Sequence, residues 1–271
     1  MNTWEIKILY LGKNLCPKSV VTLNLDADKK IWLPYLGFLL RRKGETILVD
    51  TGISENFIVD GKAWGGNPAE GGREYLKRAL EKENVRPSEI KTILYTHLHN
   101  DHAGSHDLFP DARIIVQRDE WKNLLDPLPV QRIRRDYDLD LIPSLSKREL
   151  IKIDGDIEFT DGIKLLKTPG HTLGSQSVAV TTPKGVVVIS GDLFLLNCNV
   201  FPHQKKLIDM EGKEHEITAG DQIYGPAIPS SIVYDYYAWY DSVYKVKAIA
   251  GQGFPNSILP GHEPSLIYSG L

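Results

Sequence analysis

Four potential metal ligands fall within six residues of this chain, in the run Thr96-His97-Leu98-His99-Asn100-Asp101-His102-Ala103-Gly104. Imidazole and carboxylate together suit a borderline divalent cation such as zinc. The run follows Ile93-Leu94-Tyr95, the end of a stretch (90–96) that reads as a buried strand. Beyond a strand end, His97 and His99 share a side because alternate residues do. Asp101 and His102 are then expected to open the next helix and face a second ion. Three of the chain's eight histidines sit in this hexad, which makes a histidine-rich loop by accident a poor competitor. A fold that uses the hexad must bring further ligands to this strand end.

The chain supplies many strand ends. Apolar runs at 6–11, 35–40 and 46–49 read as strands, the last two joined by Arg41-Arg42-Lys43-Gly44 as a hairpin that ends in Asp50-Thr51-Gly52. Residues 70–84 carry Leu76 and Leu80 four apart among Lys and Glu, an amphipathic helix closed by Pro87. A strand at 112–116 and a helix at 120–125 follow. The proline- and charge-rich stretch 126–147 reads as a surface excursion or lid. Strands are predicted at 150–153, 163–167, 177–181 and 186–189, separated by Asp-Gly and Pro-Lys-Gly turns. Residues 193–230 are irregular, with a small hairpin tip at Glu211-Gly212. Ser231 is the expected N-cap of a helix reaching Ala250, with Gly251 as its stop, and 257–259 is a last short strand.

Nothing repeats and no low-complexity linker divides the 271 residues, so a single domain over 1–271 is expected, with 193–230 as an insertion near the site. Net charge is −3, with no basic excess to neutralise a phosphate backbone, which counts against nucleic acid as a partner. No apolar run nears the ~20 residues of a membrane helix, and no secretory signal is readable. Two cysteines, Cys16 and Cys198, make no disulfide framework. These features predict a cytoplasmic protein.

Three further polar residues follow a predicted strand and a glycine: His171 in Thr168-Pro169-Gly170-His171, Asp192 in Ser190-Gly191-Asp192, and His262 in Leu259-Pro260-Gly261-His262. Glycine lets backbone crowd close to a bound ion. Each alone reads as a solvated turn residue; the recurrence beside the hexad does not.

The set His-x-His-x-Asp-His, then Gly-His, Gly-Asp and Gly-His, resembles the metallo-β-lactamase superfamily over 50–262. The resemblance implies an α/β (αββα) four-layer sandwich, two mixed β-sheets flanked by helices, with ligand loops at one edge. It implies His97, His99 and His171 at a first metal site, Asp101, His102 and His262 at a second, and Asp192 bridging them. Asp50 resembles the aspartate that orients a ligand histidine from behind. Two divalent ions are implied, zinc first, with iron, manganese or cobalt as alternatives.

Within the superfamily, His at 99 disfavours the oxygen-reducing diiron branch, and a bridging Asp192 disfavours the true β-lactamases. The layout is most similar to the quorum-quenching N-acyl homoserine lactonases, notably Leu48-Val49-Asp50-Thr51-Gly52, Leu108-Phe109-Pro110-Asp111-Ala112 and Gly170-His171-Thr172-Leu173-Gly174-Ser175-Gln176-Ser177. That resemblance implies an ester-bond hydrolase in which a metal-bridging hydroxide opens a small lactone or ester, with Asp101 and Asp192 catalytic. The tyrosine those enzymes commonly place three residues after the bridging aspartate is Leu195 here. Tyr224, Tyr234, Tyr236, Tyr237 and Trp239 are candidates for a pocket wall. A glyoxalase II-like thioesterase is the nearest alternative, weakened because no Lys or Arg follows His262. A metal-holding signal-binding protein with little turnover is the other. A homodimer is compatible with the sequence.

Overall fold

The computed structural model describes residues 3–250 and 256–270; Gly251, the expected helix stop, lies outside them. In chain order the strands are β1 Glu5–Pro17, β2 Lys30–Arg42, β3 Glu45–Val49, β4 Lys62–Ala63, β5 Asn67–Gly71, β6 Thr92–Leu94, β7 Arg113–Gln117, β8 Leu150–Ile153, β9 Ile157–Thr160, β10 Ile163–Lys167, β11 Gln176–Thr182, β12 Gly185–Gly191, β13 Lys206–Ile208, β14 Glu214–Glu216 and β15 Ile258–Pro260. Among the described residues they form an eight-stranded sheet, β4-β5-β1-β2-β3-β6-β7-β8, a five-stranded sheet, β15-β12-β11-β10-β9, and the small β13-β14 ribbon. Both large sheets are mixed: β3, β6, β7 and β8 run parallel, as do β12 and β15, while the other pairings are antiparallel.

Alternation along the strands sorts side chains into layers. Leu36, Phe38 and Leu40 of β2 join Val178, Val180, Val187 and Ile189 in a core between the two sheets. The opposite faces carry Tyr35 and Leu39 against Leu76, Leu80 and Trp121 on one side. On the other they carry Ala179 and Val188 against Trp239, Val243 and Val246. A strand covered on both faces reads as one continuous apolar run, and residues 33–40 of β2 are all buried. The result is the expected αββα sandwich.

Several boundaries differ from expectation, each for a local reason. The helix predicted over 70–84 is Arg73–Lys82, because residues 69–71 pair with β1 and Gly72 (φ +102°) breaks the chain before it. The last long helix starts at Tyr236 rather than after Ser231, with the Asp235 carboxylate accepting from the Ala238 amide at 3.0 Å. Asp101 and His102 open no helix. The His102 and Ala103 amides both donate to the His99 carbonyl, and the Thr51 amide and Gly104 amide tie this turn to residues 51–52. The 126–147 excursion is partly core: it holds helices Pro129–Arg134 and Leu141–Leu145, and Tyr137, Leu141 and Leu145 are buried. Among the described residues no helix is long and apolar enough to cross a membrane.

Candidate metal centre

Five polypeptide crossings deliver polar residues to one edge of the sandwich. Asp50 leaves β3, the hexad leaves β6, His171 follows β10, Asp192 follows β12 and His262 follows β15. The topology makes these ends coincide, since β3 and β6 are parallel neighbours and so are β12 and β15. Gly261 is needed for the approach: a Cβ there would sit 2.3 Å from Asp192 Oδ1. Gly191 (φ +53°) would likewise meet the Thr96 side chain at 2.7 Å.

All seven sequence-predicted ligands come together. Their ligand atoms form three groups, each within 4.8 Å: His97, His99 and His171; His97, His102 and Asp192; and Asp101, His102 and His262. Asp192 lies between the two outer groups, with Oδ1 3.2 Å from the Nε2 atoms of both His102 and His262, and Oδ2 3.5 Å from His171 Nε2. Asp101 reaches His262 Nε2 at 3.6 Å and His102 Nε2 at 4.0 Å. The Nε2 atoms of His97, His99 and His102 and Oδ1 of Asp192 are buried without a hydrogen-bond partner. Unpartnered buried polar atoms are costly and call for an explanation. Their residues are shared out over the three ligand groups, which fits cation ligation.

The Nδ1 atoms of His102, His171 and His262 are held by outer partners, which sets their tautomers. His102 Nδ1 lies 2.8 Å from Asp50 Oδ2, His171 Nδ1 donates to the Ile232 carbonyl at 3.0 Å, and His262 Nδ1 donates to the Pro34 carbonyl at 2.9 Å. Asp50 also accepts from the Thr96 amide and hydroxyl at 2.8 and 2.7 Å. It is held at φ +59°, a left-handed conformation uncommon outside glycine. Burial, then neighbouring imidazoles, hold His97 and His99 well below the ordinary histidine range, and burial pushes His171 down to about 4. Neutral imidazoles keep the lone pairs that ligation needs. Burial raises the Asp101 carboxyl. Burial opposes ionisation of Asp192 too, but His262 and His102 outweigh it and hold that carboxyl well below its usual range.

Glu120 escaped the sequence reading. It is buried, accepts from the Leu98 amide at 2.8 Å and the Tyr137 hydroxyl at 3.0 Å through Oε1, and from the Thr172 hydroxyl at 2.5 Å through Oε2. One carboxylate thus clamps the hexad loop to the His171 loop. The only sequence trace is a charged residue four before Leu124, on the apolar stripe of its helix. Glu120→Leu strands three buried donors and is expected to weaken zinc binding roughly 10–100-fold, the range for lost outer-layer partners; competition against a chromophoric chelator measures it. His106, four residues after His102, is half-buried and bonded to Ser144 Oγ at 2.7 Å.

A cavity of about 810 Å³ opens over the cluster, with His99, Asp101, Asp192 and His262 on its floor and Phe57, Trp64, Leu195 and Ile232 among its walls. The five aromatic candidates for its wall are placed elsewhere. Tyr224 bonds the Leu23 carbonyl, Tyr234 bonds Asp136 behind the lining, Tyr236 and Tyr237 are exposed, and Trp239 is core. Among the described residues no tyrosine lines the cavity.

The profile of the metallo-beta-lactamase superfamily matches residues 32–259. The chain belongs to that superfamily. An N-acyl homoserine lactonase of Bacillus cereus is 31% identical over 201 residues, 69% of this chain and 76% of the lactonase. Superposition on a B. thuringiensis AiiA variant with N-decanoyl-L-homoserine bound at its active site gives a TM-score of 0.77 at 25% identity, covering 100% of this chain and 98% of the other. An N-acyl homoserine lactone hydrolase with its product N-hexanoyl-L-homoserine at the catalytic metal center matches with the same score, identity and coverage. Membership of this superfamily accounts for the αββα layers and for ligand-bearing loops gathered at one sheet edge.

Proposed function

We propose that this chain is a single-domain, dinuclear metal-dependent hydrolase that opens lactones, with acylated homoserine lactones as the preferred substrate class and zinc as the resident metal. His97, His99 and His171 hold the first ion; Asp101, His102 and His262 hold the second; Asp192 bridges them. The observation that carries the reading is the convergence of seven buried side chains, four of their atoms unpartnered, beneath a cavity of ligand size. The kinship with lactonases supports the choice of substrate. A cytoplasmic location is part of the proposal, in keeping with Cys16 and Cys198, which are free thiols.

When bound, two divalent cations supply the Lewis acidity that activates water and holds charge developing on a carbonyl oxygen. The residues of the chain set the geometry in which this is useful. Asp192 fixes the spacing of the two triads, and Asp50 and Glu120 hold the ligand loops in place. Asp101, at the cavity floor, takes up the proton that the attacking water loses and hands it to the alkoxide released when the ring C–O bond breaks, giving a hydroxy acid. Leu195 offers a wall and no donor, so orientation of the lactone carbonyl falls to other groups on the floor.

One observation favours the thioesterase alternative: Lys62, Arg134 and Arg135 line the cavity, a basic contribution that the residues after His262 lack. A panel of acyl homoserine lactones, glutathione thioesters and phosphoesters, run on protein of known metal content, separates the readings. Lactones are expected to be hydrolysed at least tenfold faster in kcat/KM than either other class. Preference for the thioesters would establish the alternative, and stoichiometric lactone binding without turnover would establish a signal-binding protein.

A further inference from the structure

Tyr35 carries a hydroxyl that the metal-ligand set does not use. The residue is 0% exposed, and its hydroxyl oxygen is buried without a hydrogen-bond partner. Buried phenols ordinarily find a partner, and leaving one unsatisfied costs stability. Its ring stands edge-on to His262, with centroids 6.3 Å apart, and to Trp64 at the same distance.

The backbone is shaped to put it there. β1 and β2 pair Tyr10 with Leu36 and Lys13 with Pro34, so Leu11 and Gly12 together oppose Tyr35 alone. This is a β-bulge, a device that re-aims a side chain and is enriched beside active sites. Gly12 makes it feasible: its φ is +118°, and a Cβ there would lie 2.1 Å from the Glu70 carbonyl oxygen. The residue before Tyr35 gives its carbonyl to His262 Nδ1 at 2.9 Å. One bulge therefore steers both the orienting carbonyl of a second-site ligand and an unspent phenol. Tyr35 and Asp101 adjoin the same imidazole: the Tyr35 ring stands edge-on to His262, and the Asp101 carboxylate lies 3.6 Å from His262 Nε2. Asp101 itself accepts no hydrogen bond from a side chain among the described residues; its recorded neighbours are the imidazoles of His102 and His262.

We propose that Tyr35 is a positioning residue for the Asp101–His102–His262 triad, its hydroxyl donating to the Asp101 carboxylate directly or across one water. The inference rests on the metal-centre reading and not on the choice of substrate. The hydrogen bond fixes the carboxylate in its ligating orientation, so the phenol's cost in the free protein is offset when a cation is held.

Tyr35→Phe keeps the ring and removes only the donor. Zinc titrated into metal-free wild type and variant, against a chromophoric chelator, is expected to show one of two sites weakened roughly 10–100-fold and the other unchanged. The melting temperature of the metal-free variant is expected to be unchanged or raised, because an unpartnered hydroxyl has been deleted. Equal zinc affinities at both sites in wild type and variant would overturn the proposal. So would a metal-free variant that melts several degrees lower or fails to fold, since the hydroxyl would then have a partner without the metal. Neither readout needs a substrate, so both hold if every lactone is refused; a wild type that binds no zinc would instead sink the metal-centre reading.

Discussion

Asp192→Asn is expected to reduce lactone hydrolysis by roughly a thousandfold or more while leaving the protein folded. Asparagine preserves shape and removes the charge that His102 and His262 both face at 3.2 Å. In the proposed ligand set two carboxylates, Asp101 and Asp192, would offset two dications; with one carboxylate gone the pair of cations would be held against an additional unit of repulsion. Stabilisation of transition-state charge by metal ions is worth several kcal/mol, and at about 1.36 kcal/mol per decade of rate the loss of ~4 kcal/mol gives three decades. Initial rates on a purified variant, with metal content measured in parallel, check this. Occupancy should fall from two ions toward one. A variant that keeps wild-type turnover would show that Asp192 does not bridge.

Removing the metal is expected to cost stability as well as activity. Without ions, the unpartnered Nε2 atoms of His97 and His99 remain buried, with no hydrogen bond to offset their desolvation. An ion present at 1,000 times its dissociation constant adds about 4 kcal/mol to the stability of a protein that binds it only when folded. For a chain of this size that corresponds to a fall of roughly 10 °C in melting temperature on exhaustive chelation. Calorimetry before and after dialysis against a chelator measures the difference, and adding back zinc should restore both the transition and the turnover. An unchanged melting temperature would mean that these side chains are satisfied without a cation.

The site was more legible than the elements that carry it. His97, His99, Asp101 and His102 announce themselves because their chemistry lies in a single hexad, and His171, Asp192 and His262 because each follows a strand and a glycine. The reason for the glycine at 261 becomes visible only in space, where a Cβ would collide with Asp192. The boundaries that moved did so where tertiary contacts override local pattern. Residues 67–71 carry no strand signal of their own, yet pair with β4 and, through 69–71, with β1. The turn at 101–104 is pinned by the 51–52 backbone rather than continued as a helix. Glu120 was hidden because a buried carboxylate has the sequence signature of a surface one. Tyr35 was hidden because β-bulges depend on register, which two apolar runs do not specify.

Elemental analysis of protein purified without added metal or chelator tests the central claim most directly. The account predicts two divalent transition ions per chain in the wild type. Finding none, in protein that still hydrolyses lactones at full rate, would contradict it.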